Sequence, residues 1–74
     1  MLGGKVQHRD FGTVKHWVAA KGYGFIGPDR VGNDLFFYHH ALPMGVTEPP
    51  IGARVEFEIV NVKGRPQATN LKFV

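Results

Sequence analysis

Glycine and proline interrupt this chain so often that long regular elements are excluded. Ten glycines and five prolines fall within 74 residues, and both residue types destabilise the interiors of helices and strands. No window of eleven residues shows a convincing helical period, whereas Arg54 to Ile59 alternates strictly between polar and apolar side chains, which is typical of a strand. The pattern predicts several short strands joined by turns, and therefore an all-β fold.

Five segments have the composition of strands. They are Gly12–Trp17, Gly22–Gly27, Asp34–Ala41, Arg54–Ile59 and Gln67–Val74. Turn residues at 29–33 and 63–66 predict hairpins, and the prolines and glycines of Pro43–Gly52 predict an irregular connection. Five short strands in so small a chain favour an antiparallel barrel, because closing the sheet removes most exposed strand edges.

The chain is expected to form one domain over residues 11–74, preceded by a flexible arm at residues 1–10. The segment Gly4–His8 resembles Gly12–His16, so either segment could begin the first strand. We favour the second, because it lies at short-hairpin distance from Lys21. The arm then carries Lys5, His8 and Arg9, and is either a frayed terminus or a basic arm that touches nucleic acid.

Composition excludes several classes of function. Without cysteine or serine, the chain has no disulfide, no thiolate metal site and neither of the commonest nucleophiles. Its acidic residues are scattered and its four histidines do not converge, so we expect no enzyme, no cofactor and no metal site. The net charge of +3 is a mild bias toward polyanions. No apolar run is long enough for a membrane span and residues 1–10 lack a signal-peptide core, so a cytoplasmic protein is expected.

Two aromatic residues alternate with a glycine in the segment Lys21-Gly22-Tyr23-Gly24-Phe25-Ile26. In a strand Tyr23 and Phe25 share one face, and Gly24 and Ile26 share the other. If Ile26 faces the core, the two rings face solvent beside a lysine. The alternative is that the rings are themselves core residues.

The interior of a small barrel is limited, which favours exposure of these rings. Eight apolar residues are already predicted to compete for it, namely Val14, Ile26, Leu35, Phe37, Val55, Phe57, Ile59 and Leu71. The same alternation places Phe36 and Tyr38 outward on the third strand, and Lys15 and Trp17 outward on the first. The sequence thus predicts an aromatic platform, made of Trp17, Tyr23, Phe25, Phe36 and Tyr38, with Lys15 and Lys21 at its border. Bases stack on such rings and phosphates contact such lysines, so the platform predicts single-strand binding.

Three segments resemble the cold shock domain of bacterial cold shock proteins. They are Gly12–Trp17, Lys21–Ile26 and Asp34–Leu42, the last two being similar to the two ribonucleoprotein motifs of that family. The segment Gly64–Leu71 is similar to the family's Gly-Pro-Gln-Ala-x-Asn-Val ending, and the resemblance covers about residues 11 to 72. It implies a five-stranded oligonucleotide-binding (OB-fold) barrel that holds single-stranded RNA or DNA, as an RNA chaperone or a regulator of transcription or translation.

Nine residues are predicted to bind nucleic acid: Lys15, His16, Trp17, Lys21, Tyr23, Phe25, Phe36, Tyr38 and His39. The family usually has Lys-Trp-Phe where this chain has Lys15-His16-Trp17, and Phe-Val-His-Phe where this chain has Phe36 to His39. His16 and His39 therefore occupy positions that the family fills with rings. Protonation of these histidines would add positive charge, so we expect tighter single-strand binding at pH 6 than at pH 8.

Two other classes of function are weighed against this one. A small barrel can capture a proline-rich peptide on an aromatic face, and such binding would respond little to salt. A nuclease is the third class, but alternating strand carboxylates such as Glu56 and Glu58 are usually just solvated. We expect a monomer, or a strand-exchanged dimer with Pro43–Gly52 as the hinge.

Overall fold

The computed structural model describes residues 9–30 and 32–74. Its elements are the strands β1 (Asp10–Val18), β2 (Tyr23–Pro28), β3 (Leu35–Tyr38), β4 (Arg54–Val62) and β5 (Arg65–Phe73), with one 3-10 turn at His39–Ala41. The first strand runs through the second of the two similar segments, as predicted. Most of the predicted arm, with Lys5 and His8, lies outside the described residues. Within the described ranges, no helix is long and apolar enough to cross a membrane.

The five strands close into a barrel in the order β1-β2-β3-β5-β4, which confirms the predicted all-β OB-fold barrel. The pairing is mixed rather than wholly antiparallel, since β3 and β5 run parallel with Phe36 opposite Gln67. The connection over residues 42–53 carries the chain from β3 to the far side, where β4 pairs with β1. The hairpin partner β5 then returns beside β3 and closes the barrel, which brings the start of β5 next to the second ribonucleoprotein-like segment.

The predicted core is confirmed except at Ile59, which is 45% exposed. The buried residues are Val14, Ile26, Leu35, Phe37, Ala41, Val55, Phe57, Ala68 and Leu71. The error has a local cause, because the β4/β5 register shifts between Glu56 and Glu58. Beyond that shift Ile59 and Val60 are both exposed. The end of the hairpin therefore projects beyond the barrel, and neither face of β4 is buried there. Strict alternation along β4 therefore failed where the strand leaves the barrel.

Ion pairs connect the ends of the barrel strands. Arg9 donates to carboxylate oxygens of Glu56 and Glu58, each at 2.9 Å, and to the carbonyl of Asn70 at 2.7 Å. This places the Arg9 side chain against β4 and β5, where it ties the entry of β1 to its neighbours. The two carboxylates are half-buried, so the guanidinium compensates charge that solvent covers only in part.

A second arginine forms a more exposed ion pair with the residue that follows β2. Arg54 donates two hydrogen bonds of 2.7 Å to the two carboxylate oxygens of Asp29, and a third bond of 3.1 Å to Thr13. The hydrogen bonds from Arg54 hold the pKa of Asp29 below its usual value. The fork geometry of the guanidinium matches the carboxylate, which fixes the loop after β2 against β4.

Candidate nucleic-acid interface

Four rings from β2 and β3 lie together on the outside of the barrel. We call Tyr23, Phe25, Phe36 and Tyr38 the aromatic surface. The antiparallel register sets Tyr23 opposite Tyr38 and Phe25 opposite Phe36, so period-two alternation brings all four to one face. Phe36 lies at the centre, with its ring centroid 5.0 Å from Tyr23, 5.6 Å from Phe25 and 4.6 Å from Tyr38.

The opposite face of the same two strands is fully packed. Ile26 and Phe37 are completely buried, and Gly24, which lies opposite Phe37 in the β2/β3 register, is buried as well. The rings of the aromatic surface are half-buried, and Tyr38 is 40% exposed. The core therefore does not need these rings, which leaves part of each ring accessible for stacking.

Trp17 does not join the aromatic surface, contrary to the geometry that the sequence predicted. Its ring stacks on Phe37, with centroids 5.6 Å apart and planes 19° apart, and it packs against the core cluster. The cause is an irregularity in β1, where Val14 pairs with Ile26 but His16 pairs with Phe25. The extra residue, Lys15, shifts the alternation by one position, so every later side chain of β1 changes face.

The same shift brings His16 to the aromatic surface. Its imidazole contacts the ring of Phe25 edge to face, with centroids 6.5 Å apart, and the side chain is exposed. His16 therefore continues the surface on the side of β1, where Trp17 was expected. An exposed imidazole here offers a further ring for stacking.

The remaining predicted residues lie around the edges. Lys15 is exposed, with its Nζ atom 3.9 Å from a carboxylate oxygen of Asp34, and its stem passes over Gly27. Lys21, His39 and Trp17 line a separate groove of about 480 Å³ at the β1–β2 turn. Of the nine predicted residues, the structure thus places four in the aromatic surface, His16 beside it and three in the separate groove, whereas Lys15 lies near Asp34.

A groove of about 610 Å³ separates the aromatic surface from the β4–β5 hairpin. Its second wall, which the sequence prediction missed, consists of Val62, Lys63, Arg65, Pro66 and Gln67. The tight turn at Lys63 and Gly64, with φ values of 53° and 81°, is of the kind that favours two-residue hairpins. This turn places Lys63 and Arg65 beside the rings of the aromatic surface. The basic turn was visible in the sequence, but its position depended on the parallel β3–β5 pairing.

The barrel topology and its exposed rings together define a small oligonucleotide-binding fold. The chain belongs to the cold shock domain family, since the 'Cold-shock' DNA-binding domain matches residues 10–74. It is accordingly a nucleic-acid-binding protein, of a family that binds nucleic acid rather than catalysing reactions. Among the described residues, no group of three or more histidine or acidic side chains has the arrangement to hold a metal ion.

Curated relatives from distant bacteria agree with this assignment. The cold shock-like protein CspA of Stigmatella aurantiaca is 41% identical over 64 residues, which is 85% of this chain and 94% of the relative. A cold shock-like protein of Thermotoga maritima is 44% identical over 64 residues, covering 85% of this chain and 96% of the relative. Cold shock-like protein CspE of Escherichia coli is 39% identical over 61 residues, covering 81% and 88%.

A solved structure supports the fold independently. The structure named drosophila Unr CSD456 matches 92% of this chain with a TM-score of 0.77 and 28% sequence identity. This chain spans 27% of the length of that structure, so it corresponds to a part of it.

Proposed function

We propose that the aromatic surface binds single-stranded RNA and DNA by stacking the bases on its rings. The observation that carries the proposal is the cluster of four rings in mutual contact, centred on Phe36 and left partly accessible by a core that is filled elsewhere. A duplex hides the faces of its bases, so this surface favours unpaired strands. Each stacked base contributes about 1–3 kcal/mol, with modest sequence preference, since every base has a π-face.

Cations surround the rings and would contact the phosphates. Lys63 and Arg65 border the groove on the hairpin side, and Lys15 and Lys21 are exposed at the β1 side. We expect binding to weaken as the salt concentration rises. On a plot of log affinity against log salt concentration, each phosphate contact removed should make the slope shallower by about 0.7 for a single strand. His16 and His39 extend the proposed site at its edges, and Trp17 contributes through the groove at the β1–β2 turn.

We further propose that the protein acts in the cytoplasm as an RNA chaperone or as a regulator of transcription or translation. The chain aligns with nearly the whole length of two curated relatives that are named cold shock-like proteins. Their names support a role in the response to cold. We propose that it works as a monomer, without cofactor and without catalysis. A strand-exchanged dimer would use the connection at residues 43–52 as its hinge.

The test compares a single-stranded T-rich heptamer with the matching duplex, by fluorescence anisotropy of the labelled oligonucleotide. Phe25→Ala is expected to weaken single-strand binding by roughly 5- to 100-fold, because it removes one stacking ring. Phe11→Ala is the matched control. Phe11 is also a phenylalanine in a strand, 45% exposed, but it pairs with β4 and lines neither wall of the groove.

Two results would contradict the proposal. Equal affinity for the heptamer and the duplex would show that unpaired bases are not what the rings recognise. Tight binding of a proline-rich peptide at the same surface, with no response to salt, would favour the protein-interaction module instead. Raising the salt concentration in parallel titrations separates the two cases, since only phosphate contacts release counterions.

A further inference from the structure

A second groove continues the first along the line where β3 pairs with β5. The groove beside the aromatic surface is lined by Arg65 to Gln67, at the start of β5. The second groove, of about 460 Å³, is lined by Asn70 to Lys72 and by residues 40–43. Because β3 and β5 are parallel, the direction that leads past Tyr38 into the 3-10 turn also leads along β5 to Lys72. The two grooves therefore follow one another in a single direction.

His40 lies at the border between the aromatic surface and the second groove. Its imidazole stacks on Tyr38, with centroids 5.5 Å apart and planes 28° apart, and it lines the second groove. If β3 continued through these residues, His39 and His40 would point to opposite faces. The strand ends at Tyr38 instead, and the 3-10 turn over His39–Ala41 brings His40 back beside the last ring.

The His40 side chain is accessible. It is exposed, and its aromatic ring contacts are those with Tyr38 and His39. An exposed ring that extends a stack of rings offers one further position for a base.

Aromatic character distinguishes His40 from the other residues of the second groove. Among the described residues that line this groove, His40 has the only aromatic ring. Arg9 there is paired with Glu56 and Glu58, and Lys72 lies on the β5 side. Stacking of a base at the entrance of this groove therefore depends on His40.

We propose that a single strand bound on the aromatic surface continues past Tyr38 and stacks one further base on His40, at the entrance of the second groove. This inference rests on the proposed function, because the extension needs a strand already held by the rings. It predicts that affinity rises when the oligonucleotide becomes long enough to reach His40. It also predicts that this last gain depends on an aromatic ring at position 40, since His40 has the only aromatic ring among the described residues that line the second groove.

The test measures affinity for labelled oligothymidylates of about 3 to 16 nucleotides, a range that covers the site sizes of such barrels. The proteins compared are the wild type, His40→Ala, His40→Phe and the control Met44→Ala. Met44 is a fully exposed residue of the connection after the 3-10 turn that lines neither groove. Thermal denaturation of each variant shows that the barrel remains folded at the titration temperature.

The expected result is specific to length. His40→Ala should bind short oligonucleotides like the wild type and lose about fivefold or more in affinity for long ones, the effect of one weakly stacked base. His40→Phe should retain the gain, Met44→Ala should change nothing, and the salt slope should be the same in all four proteins.

Three results would overturn the inference. Unchanged affinity of His40→Ala at every length would refute the extension while leaving binding to the aromatic surface intact. An equal loss at every length would mean that His40 only positions Tyr38. Failure of the wild type to bind any length would refute the proposed function itself, and the extension with it.

Discussion

Replacing Gly24 with alanine tests how completely the interior behind the aromatic surface is filled. A Cβ atom at this position would overlap the carbonyl oxygen of His16, and would lie 2.9 Å from both Phe37 Cζ and Trp17 Cε3. The carbonyl belongs to β1, which is paired with Gly24 through Trp17. None of the three neighbours is the free end of a flexible side chain, so relief requires movement of a strand or of two stacked rings.

The expected cost follows from this geometry. Overpacking a filled core typically costs about 1–3 kcal/mol, and the upper part of that range applies because one of the contacts is backbone. The loss of unfolded-state entropy on replacing glycine offsets about 0.4–1 kcal/mol. The net destabilisation is about 2 kcal/mol, which lowers the Tm of a domain of this size by roughly 8–16 °C.

Thermal and urea denaturation of Gly24→Ala provide the assay, with Gly27→Ala as the matched control. Gly27 lies in the same strand, and a Cβ atom there would meet Lys15 Cδ at 2.8 Å. That atom belongs to an exposed side chain, which can swing aside. Gly27→Ala is therefore expected to change the free energy of unfolding by less than about 1 kcal/mol in either direction.

A Gly24→Ala protein as stable as the wild type would refute the reasoning, because it would show free space where the structure has none. Equal destabilisation by both substitutions would also refute it. That result would mean that β2 resists any side chain at its glycines, regardless of what the added atom contacts.

Two further predictions concern charge. Arg9→Ala should lower the free energy of unfolding by about 1–3 kcal/mol, because it removes hydrogen bonds of 2.9 Å from a guanidinium to two half-buried carboxylates. Arg30→Ala is the control and should change little in the same denaturation assay, since it removes an exposed guanidinium 3.9 Å from its partner. Asp29→Asn should lower Tm slightly at pH 7, because the hydrogen bonds from Arg54 hold the folded-state pKa of Asp29 below 3.8. The difference should shrink as the pH falls below 3.8 and disappear as the carboxylate becomes protonated in the folded protein; a difference that does not shrink with falling pH would contradict this.

Much of the fold followed from local pattern. Glycine and proline spacing predicted five strands, alternation placed Tyr23 and Phe25 opposite Ile26, and the filled interior identified these rings as outward-facing. The pairing of β2 with β3 then produced the predicted contact between Phe25 and Phe36. These inferences succeeded because side-chain direction in a regular strand depends on position alone.

Two features of the candidate site escaped the sequence. The extra residue at Lys15 exchanged the faces of His16 and Trp17, since a bulge inverts alternation without any local sign in composition. Lys63 and Arg65 were visible as a basic turn, but the chain had to cross the barrel and pair β5 with β3 before they reached the rings. Such pairing depends on contacts between residues distant in sequence, which periodicity does not report.

The sequence by itself therefore determined the class of fold, the buried residues of the regular strands and the four rings of the aromatic surface. Tertiary structure decided which side chains of β1 and β5 join those rings, and that His40 extends them beyond the end of β3. The physical reason is the sequence separation of the residues whose contacts set each feature. Alternation is set within a strand, whereas a bulge, a parallel seam and a 3-10 turn arise from closing the barrel around a core that must be filled.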